Sequence, residues 1–322
     1  MRVHVSLPLG GPLAAAGREV LRGAELALER SASPPVDLVV HDGFAPDREA
    51  RAVEIARAAA ADRGAVAYVG DFHSSQVMAT APILGAAGLL QVAPVATFIG
   101  LGGPTLVRIT PHDGAGARAV AAWAAEQGVR ELLVVHDHDD GYGAPVGAMC
   151  AEAARDRGVA VRIRPVWDAE EREADDLGAA DAVLYAGVAG SGAIGMWHAL
   201  HEARPDAWLL GTDGVAADWL ARALAPPVAA RTRFFVAARA PLGFYGFEAM
   251  ALVLDAIAAG AGDRAAIVRA ARATRDRERS GDEASGRGRA VIGRYSIDAE
   301  GHTTATAYGR LAVVDGALAW DR

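Results

Sequence analysis

At 322 residues the chain is too long for one small core, and it predicts about two domains at the usual ~100–200 residues each. Hydrophobic residues make up 52% of it, which supplies packed interiors and argues against disorder. The formal net charge of −8 leaves no global basic footprint for nucleic acid.

All 32 basic residues are Arg, and Lys and Asn are absent. With the abundant Ala and Gly, this reads as a coding bias, so an individual Arg carries little information. Cys150 is the only cysteine, which excludes an internal disulfide and a cysteine-based metal cluster. No segment reaches the ~20 apolar residues of a membrane helix, so no transmembrane segment is expected. The opening "MRVHVSLPLGGP" enters a strand at once, without the ~7–15-residue apolar stretch of a signal peptide. The expectation is a cytoplasmic chain if Met1 is the natural start, or an extracytoplasmic one if an export signal was removed.

Short apolar runs alternate with Ala-rich amphipathic segments. "VHVSLPL" precedes the helical pattern "GREVLRGAELALER", in which Val20, Leu21, Ala24, Ala27 and Leu28 share a stripe. "VDLVVHDG" precedes "PDREARAVEIARAAAADRG", "AVAYVG" precedes "SSQVMATAPILGAAG", and "LLQVAP" follows. Such nearly continuous apolar runs predict parallel strands covered on both faces. The pattern restarts after "LVRITPHDG" and runs through "ELLVVHD", "VAVRIRPVW", "ADAVLYAG", "AWLLGTDG" and "RFFVAAR". The fold class is therefore α/β, with two doubly wound, Rossmann-like lobes. "RATRDRERSGDEASGRGRA" mixes acids with arginines and reads as a solvated loop.

In "YVGDFHSSQVMATAP" an apolar strand runs into Gly70, then Ser74 and Ser75, then a helix. A hydroxyl there can cap the helix or join free N–H groups in binding an anion. A nucleophilic Ser74 needs a base, for which His73 is the neighbour, but no G-x-S-x-G elbow surrounds the pair. "APVAT" (93–97) ends the next strand, so Ser74 and Thr97 both lie at carboxyl ends, where open α/β sheets bind ligands. Alternatively, Thr97 bonds only its own loop. Asp213 in "LLGTDG" is either a ligand carboxylate or a turn former before Gly214, and Tyr142 in "GYGAP" either faces a ligand or covers a turn. "HDHDDGYG" has a metal-like look at His136, Asp137, His138, Asp139 and Asp140. It lacks zinc-motif spacings and reads as a solvated loop, with no metal and no cofactor expected.

"LPLGGPLAAAGREVLRGAELALE", "VAYVGDFHSSQVMATAPILGAAGLLQVAPVAT" and "LVRITPHDGAGARAVAAWAAEQGVRELLVVHDHDDGYG" together resemble the branched-chain-amino-acid (Leu/Ile/Val) solute-binding proteins of ABC transporters, which have the type I periplasmic binding protein fold. "DAVLYAG", "LLGTDGV", "YGFEAMALVLDAI" and "IGRYSIDAEGH" continue the order, so the resemblance covers nearly the whole chain. It implies lobe 1 from residues 1–112 plus 240–307 and lobe 2 from 113–239 plus 308–322. Three hinge crossings would join them near Thr110–Asp113, Ala237–Pro241 and Ala307–Arg310, with closure on a ligand held in the cleft. Ser74 matches a serine that bonds a ligand α-carboxylate, and Ser75 is left a packing or capping role. Val95, Ala96 and Thr97 match the segment that contacts carboxylate and amine. Asp213 matches an acid that pairs with the ligand ammonium, and Tyr142 a cleft tyrosine.

Where the family carries larger residues, this chain has Ala16 and, after "YAG", Val188 and Ala189. These small pocket walls imply a ligand bulkier than leucine, such as an aromatic one. His73, a further candidate pocket wall, stands where the family often has a disulfide cysteine. The reading is a solute-binding protein for an amino acid or related small carboxylate, working as a monomer with an ABC permease. Its alternatives are a ligand sensor of the same fold, possibly cytosolic, signalling to a regulatory partner, and a serine-dependent enzyme.

Overall fold

A computed structural model describes residues 1–31, 35–136, 142–165, 180–188, 191–237, 241–260, 263–277 and 292–321. In chain order the first elements are β1 (Arg2–Leu7), α1 (Ala14–Glu29), β2 (Asp37–Asp42), α2 (Arg48–Ala61), β3 (Ala65–Val69), α3 (Ser74–Ala86), β4 (Leu90–Ala93) and β5 (Leu106–Arg108). There follow α4 (Asp113–Glu126), β6 (Glu131–His136), α5 (Gly143–Arg155), β7 (Ala160–Pro165), β8 (Ala182–Ala186), α6 (Ser191–Ala203) and β9 (Trp208–Gly211). The chain ends with α7 (Asp218–Ala223), α8 (Pro226–Ala230), β10 (Thr232–Val236), α9 (Leu242–Gly260), α10 (Arg264–Arg272), β11 (Gly309–Val314) and β12 (Ala317–Trp320). It divides into two compact units, Met1–His112 with Ala240–Thr306, and Asp113–Arg239 with Ala307–Arg322.

The first unit is built on a five-stranded sheet in the order β2-β1-β3-β4-β5, parallel throughout. Its central strands are buried along their length, as double coverage requires. The edge strand β2 departs from the sequence expectation: its residues are exposed or half-buried and none is fully buried, because one side of it has no neighbouring strand. Helices start where the sequence offers caps. Asp47 accepts from Ala50 N–H at 2.9 Å to open α2, and Asp263 does the same for Ala266 in α10 at 2.9 Å. On α1 the predicted stripe holds in part: Val20, Ala24 and Ala27 are buried, with Gly17 and Gly23 beside them, while Leu21 and Leu28 are half-buried.

Helix α9 corrects the expectation that no segment has the length and apolarity of a membrane span, since its 19 residues do. Most of its residues are nevertheless buried within the first unit, where α9 packs on α1. The contact is close enough that a Cβ on Gly23 would strike the Gly243 carbonyl, and one on Gly246 the Val20 carbonyl.

The second unit holds a seven-stranded sheet in the order β12-β11-β10-β9-β8-β6-β7. Strands β6 to β10 are mutually parallel, whereas β11 runs antiparallel to β10 and β12 antiparallel to β11. Consecutive residues of β10 serve opposite faces, as the strand period demands. Phe234 joins the Trp197 and Leu209 core, and Phe235 the Trp123 and Leu184 core. As in the first sheet, the edge strand β7 is only partly covered.

Candidate functional site

In the first unit, β3 and β4 lie side by side and deliver their following loops to one carboxyl edge. Ser74 is the first residue of α3 and His73 the cap position, so the serine does not cap the helix. Instead its Oγ accepts from the N–H of Phe98 at 3.2 Å. That bond joins the Ser74 turn to the 94–98 loop. Ala96 O accepts from Thr110 Oγ1 at 3.1 Å, while Thr97 and Phe98 offer their carbonyls to the buried guanidinium of Arg108 at 3.3 and 2.6 Å. Ala96 and Thr97 are buried and Val95 half-buried. The arrangement presents a helix N-terminus, a hydroxyl and a fixed loop together, which suits an anionic group.

Ser75 bonds Glu49 of α2 and ties two helices together. His73 donates its backbone N–H to Gln76 Oε1 at 3.3 Å. Burial first, then the nearby Arg48 charge, lowers the His73 pKa to about 4. The ring is therefore neutral at pH 7 and a weak base for a serine. Under the turn, Asp71 is buried and accepts from Tyr68 Oη at 2.7 Å and Thr80 Oγ1 at 2.8 Å. Gln91 Nε2 closes this network on Thr80 Oγ1 at 2.9 Å and Gly70 O at 3.2 Å. Burial raises the Asp71 pKa to about 6 despite these donors.

In the second unit, Asp213 opens a 3-10 turn directly after β9, and Tyr142 precedes α5. Tyr142 Oη donates to Asp213 Oδ1 at 2.6 Å, and Gly214 N–H donates to the same oxygen at 2.9 Å. Desolvation, then the charges of Asp213 and Asp113, push the phenol well above its ordinary value, so it remains a donor. Beside Asp213 lies a water-sized cavity of about 10 Å³, lined in part by Asp113, Cys150, Thr212 and Tyr308.

The sequence-predicted residues thus fall into two groups. Ser74 meets the Val95–Thr97 segment in the first unit, and Tyr142 meets Asp213 in the second. Of the suggested pocket walls, Ala16 is half-buried on α1 and Val188 exposed after β8, while Ala189 lies outside the described residues. The metal-like run from Asp137 to Asp140 also lies outside them. Among the described residues no group of three or more His, Cys, Asp or Glu is placed to hold a metal. Sequence reasoning missed Arg108 and Asp71. Both are buried charges directly supporting the Ser74 edge, and only their position near the ends of apolar strands could have marked them.

A family model described as periplasmic binding protein matches residues 1–225. No curated protein matches the chain. Among solved structures, the leucine-binding protein LivK of Thermotoga maritima is 22% identical, with a TM-score of 0.79 over 100% of this chain and 98% of its own. LivJ of Streptococcus pneumoniae, a branched-chain amino acid transporter substrate-binding protein solved with isoleucine, is 18% identical, with a TM-score of 0.77 over 100% and 98%. A solute-binding protein of an ABC transporter from R. palustris, solved with 4-hydroxybenzoate, is 17% identical, with a TM-score of 0.77 over 100% and 95%. At these identities the likeness establishes the fold, two α/β units of the type I periplasmic binding kind. With the family match over most of its length, the chain belongs to the periplasmic binding protein family.

Proposed function

We propose that the chain is a solute-binding protein that captures an amino acid or related small carboxylate and delivers it to an ABC permease. The observation that carries this reading is the pairing of opposite preferences in its two units. Ser74 and the 95–98 loop offer a hydroxyl and a helix N-terminus for a carboxylate, and Asp213, oriented by Tyr142, offers a carboxylate for an ammonium. Closure of a monomer about its three chain crossings would bring both to one ligand. Structural neighbours solved with isoleucine and with 4-hydroxybenzoate support a small carboxylate as the ligand class. The low His73 pKa weighs against the serine-enzyme reading, because a base that loses its proton near pH 4 gains little from taking one from a hydroxyl at pH 7.

Thermal-shift screening of amino acids, aromatic acids and their amides tests the proposal. A ligand at a hundredfold excess over its Kd stabilises the protein by about 2.7 kcal/mol. Binding of a carboxylate that Ser74→Ala abolishes, with no turnover of the ligand, is the expected result. Turnover lost in Ser74→Ala would replace the proposal with an enzyme, and tighter binding of the amide than the acid would reject the carboxylate assignment.

A further inference from the structure

Leu7 and Asp42 are paired at the ends of β1 and β2, so the loops that follow them emerge together at the carboxyl edge of the first sheet. The Asp42 carboxylate fixes both loops, Oδ1 accepting from the N–H groups of Leu9 at 2.8 Å, Gly10 at 3.2 Å and Phe44 at 2.9 Å. Phe44 lies on the Gly10–Gly11 turn. A Cβ on Gly10 would come within 3.0 Å of the ring, and one on Gly11 would overlap it. Gly11 also has φ +67°, where L side chains are strained. Both ends of the loop after β2 are tied to α3, the helix that begins with Ser74. Gln76 Nε2 donates to Gly43 O at 3.3 Å and to Arg48 O at 3.2 Å, and Ser75 bonds Glu49.

Phe44 nevertheless remains 46% exposed. An isolated exposed apolar residue needs no explanation. Phe44 differs in its mounting: its backbone is held by a carboxylate, one side of its ring rests on a glycine turn, and its loop shares a helix N-terminus with Ser74. It therefore offers a fixed aromatic surface at the edge where open α/β sheets bind ligands.

We infer that Phe44 is a specificity-determining residue, the aromatic wall that receives the apolar side chain of the carboxylate ligand, and that the site accordingly takes aromatic or large apolar carboxylates in preference to small ones. The inference rests on the assignment of Ser74 to the ligand carboxylate. Stacking and apolar contact with one ring would be lost on truncation, while the carboxylate contacts stay in place.

The test is calorimetric titration of wild type and Phe44→Ala with two pairs of probes, L-phenylalanine against L-alanine and 4-hydroxybenzoate against acetate. In at least one pair, Phe44→Ala is expected to weaken the ring-bearing member about tenfold, and its small partner less than about twofold. Phe44→Leu should recover part of the loss, and the melting temperature of the unliganded protein should stay within about 2 °C of wild type. Equal losses for both members of a pair, or no loss for a ring-bearing ligand that wild type binds, would overturn the inference alone. A wild type that binds none of the four would overturn this inference, while the functional reading falls only if the thermal-shift screen finds no carboxylate ligand.

Discussion

The Tyr142 phenol donates to the Asp213 carboxylate at 2.6 Å, and the Gly214 N–H approaches the same Oδ1 atom at 2.9 Å. Two donors on one oxygen fix the carboxylate plane and keep its charge in place. The consequence for binding depends on the ligand's amine. Asp213→Asn should weaken an amino acid ligand about ten- to a hundredfold, the range of a charge-assisted bond worth about 1.5–3 kcal/mol. Its deaminated analogue should change little. Tyr142→Phe leaves the Gly214 donor and should cost about 0.5–1.5 kcal/mol of affinity. Paired titrations of one acid with and without its amino group read this directly; equal losses for both would remove Asp213 from ammonium recognition.

Arg108 makes the Ser74 edge sensitive to a substitution that need not touch a ligand. Its buried guanidinium donates to Thr97 O and Phe98 O, while Phe98 N–H is held by Ser74. Arg108→Met would leave two carbonyls without a charged donor, at a cost of about 3 kcal/mol or more. Both bonds come from the one Nη1 atom, so a lysine ammonium could serve the same carbonyls, but its shorter reach and different donor geometry should recover only part. Urea unfolding should show a lower midpoint, and ligand affinity should fall as the 95–98 loop loosens. Unchanged affinity in a folded Arg108→Lys protein would detach this loop from binding.

The two buried titrating groups at the start of the Ser74 turn act in opposite senses. Asp71 has a folded pKa of about 6 against 3.8 when unfolded. Between those values the native state keeps a proton that the unfolded state has lost, so stability falls as pH rises, by about 3 kcal/mol in all. His73 has a folded pKa of about 4 against 6.5 unfolded, so there the unfolded state binds the extra proton and stability rises with pH. From pH 4 to 6 the two contributions oppose each other. Asp71→Asn should therefore steepen the rise of stability with pH over this window, and His73→Gln should flatten or reverse it. Urea midpoints at pH 4, 5, 6 and 7 give both slopes, and parallel curves for wild type and Asp71→Asn would show that Asp71 is ionised in the folded protein.

Legibility in the sequence followed periodicity. The strand–helix alternation and the turns carrying Ser74, Thr97 and Asp213 were readable, because apolar runs and Gly-rich ends have local signatures. Resemblance supplied the type I fold that the family match upholds. Arg108 was hidden because every basic residue in the chain is Arg, so composition could not mark one that is buried. Phe44 sits in "HDGFAPD", a turn whose apolar residue has no periodic partner, and its contact with Gly10 and Gly11 spans over thirty residues. The limited burial of β2 and β7 comes from their edge positions in strand order, which apolar content does not encode.

Helices α1 and α9 meet through glycine rather than through interlocking side chains. A Cβ at Gly23 would strike the Gly243 carbonyl and the Phe247 backbone nitrogen, and a Cβ at Gly246 would strike the Val20 carbonyl. Backbone cannot rotate away as a flexible side chain can, so the helices must separate. In this interior α9 buries Tyr245, Met250, Leu252, Val253 and Leu254, whose contacts loosen when the axes move apart. Gly23→Ala would gain about 1 kcal/mol of helix propensity in isolation. The overpacking opposes that gain and is expected to win, with a net loss of about 1–2 kcal/mol. For a unit of this size that lowers the melting temperature by roughly 2–8 °C. Scanning calorimetry of Gly23→Ala and Gly246→Ala measures it. A melting temperature at or above wild type in both would show that α1 and α9 can part without cost, and that the glycines serve something other than close approach.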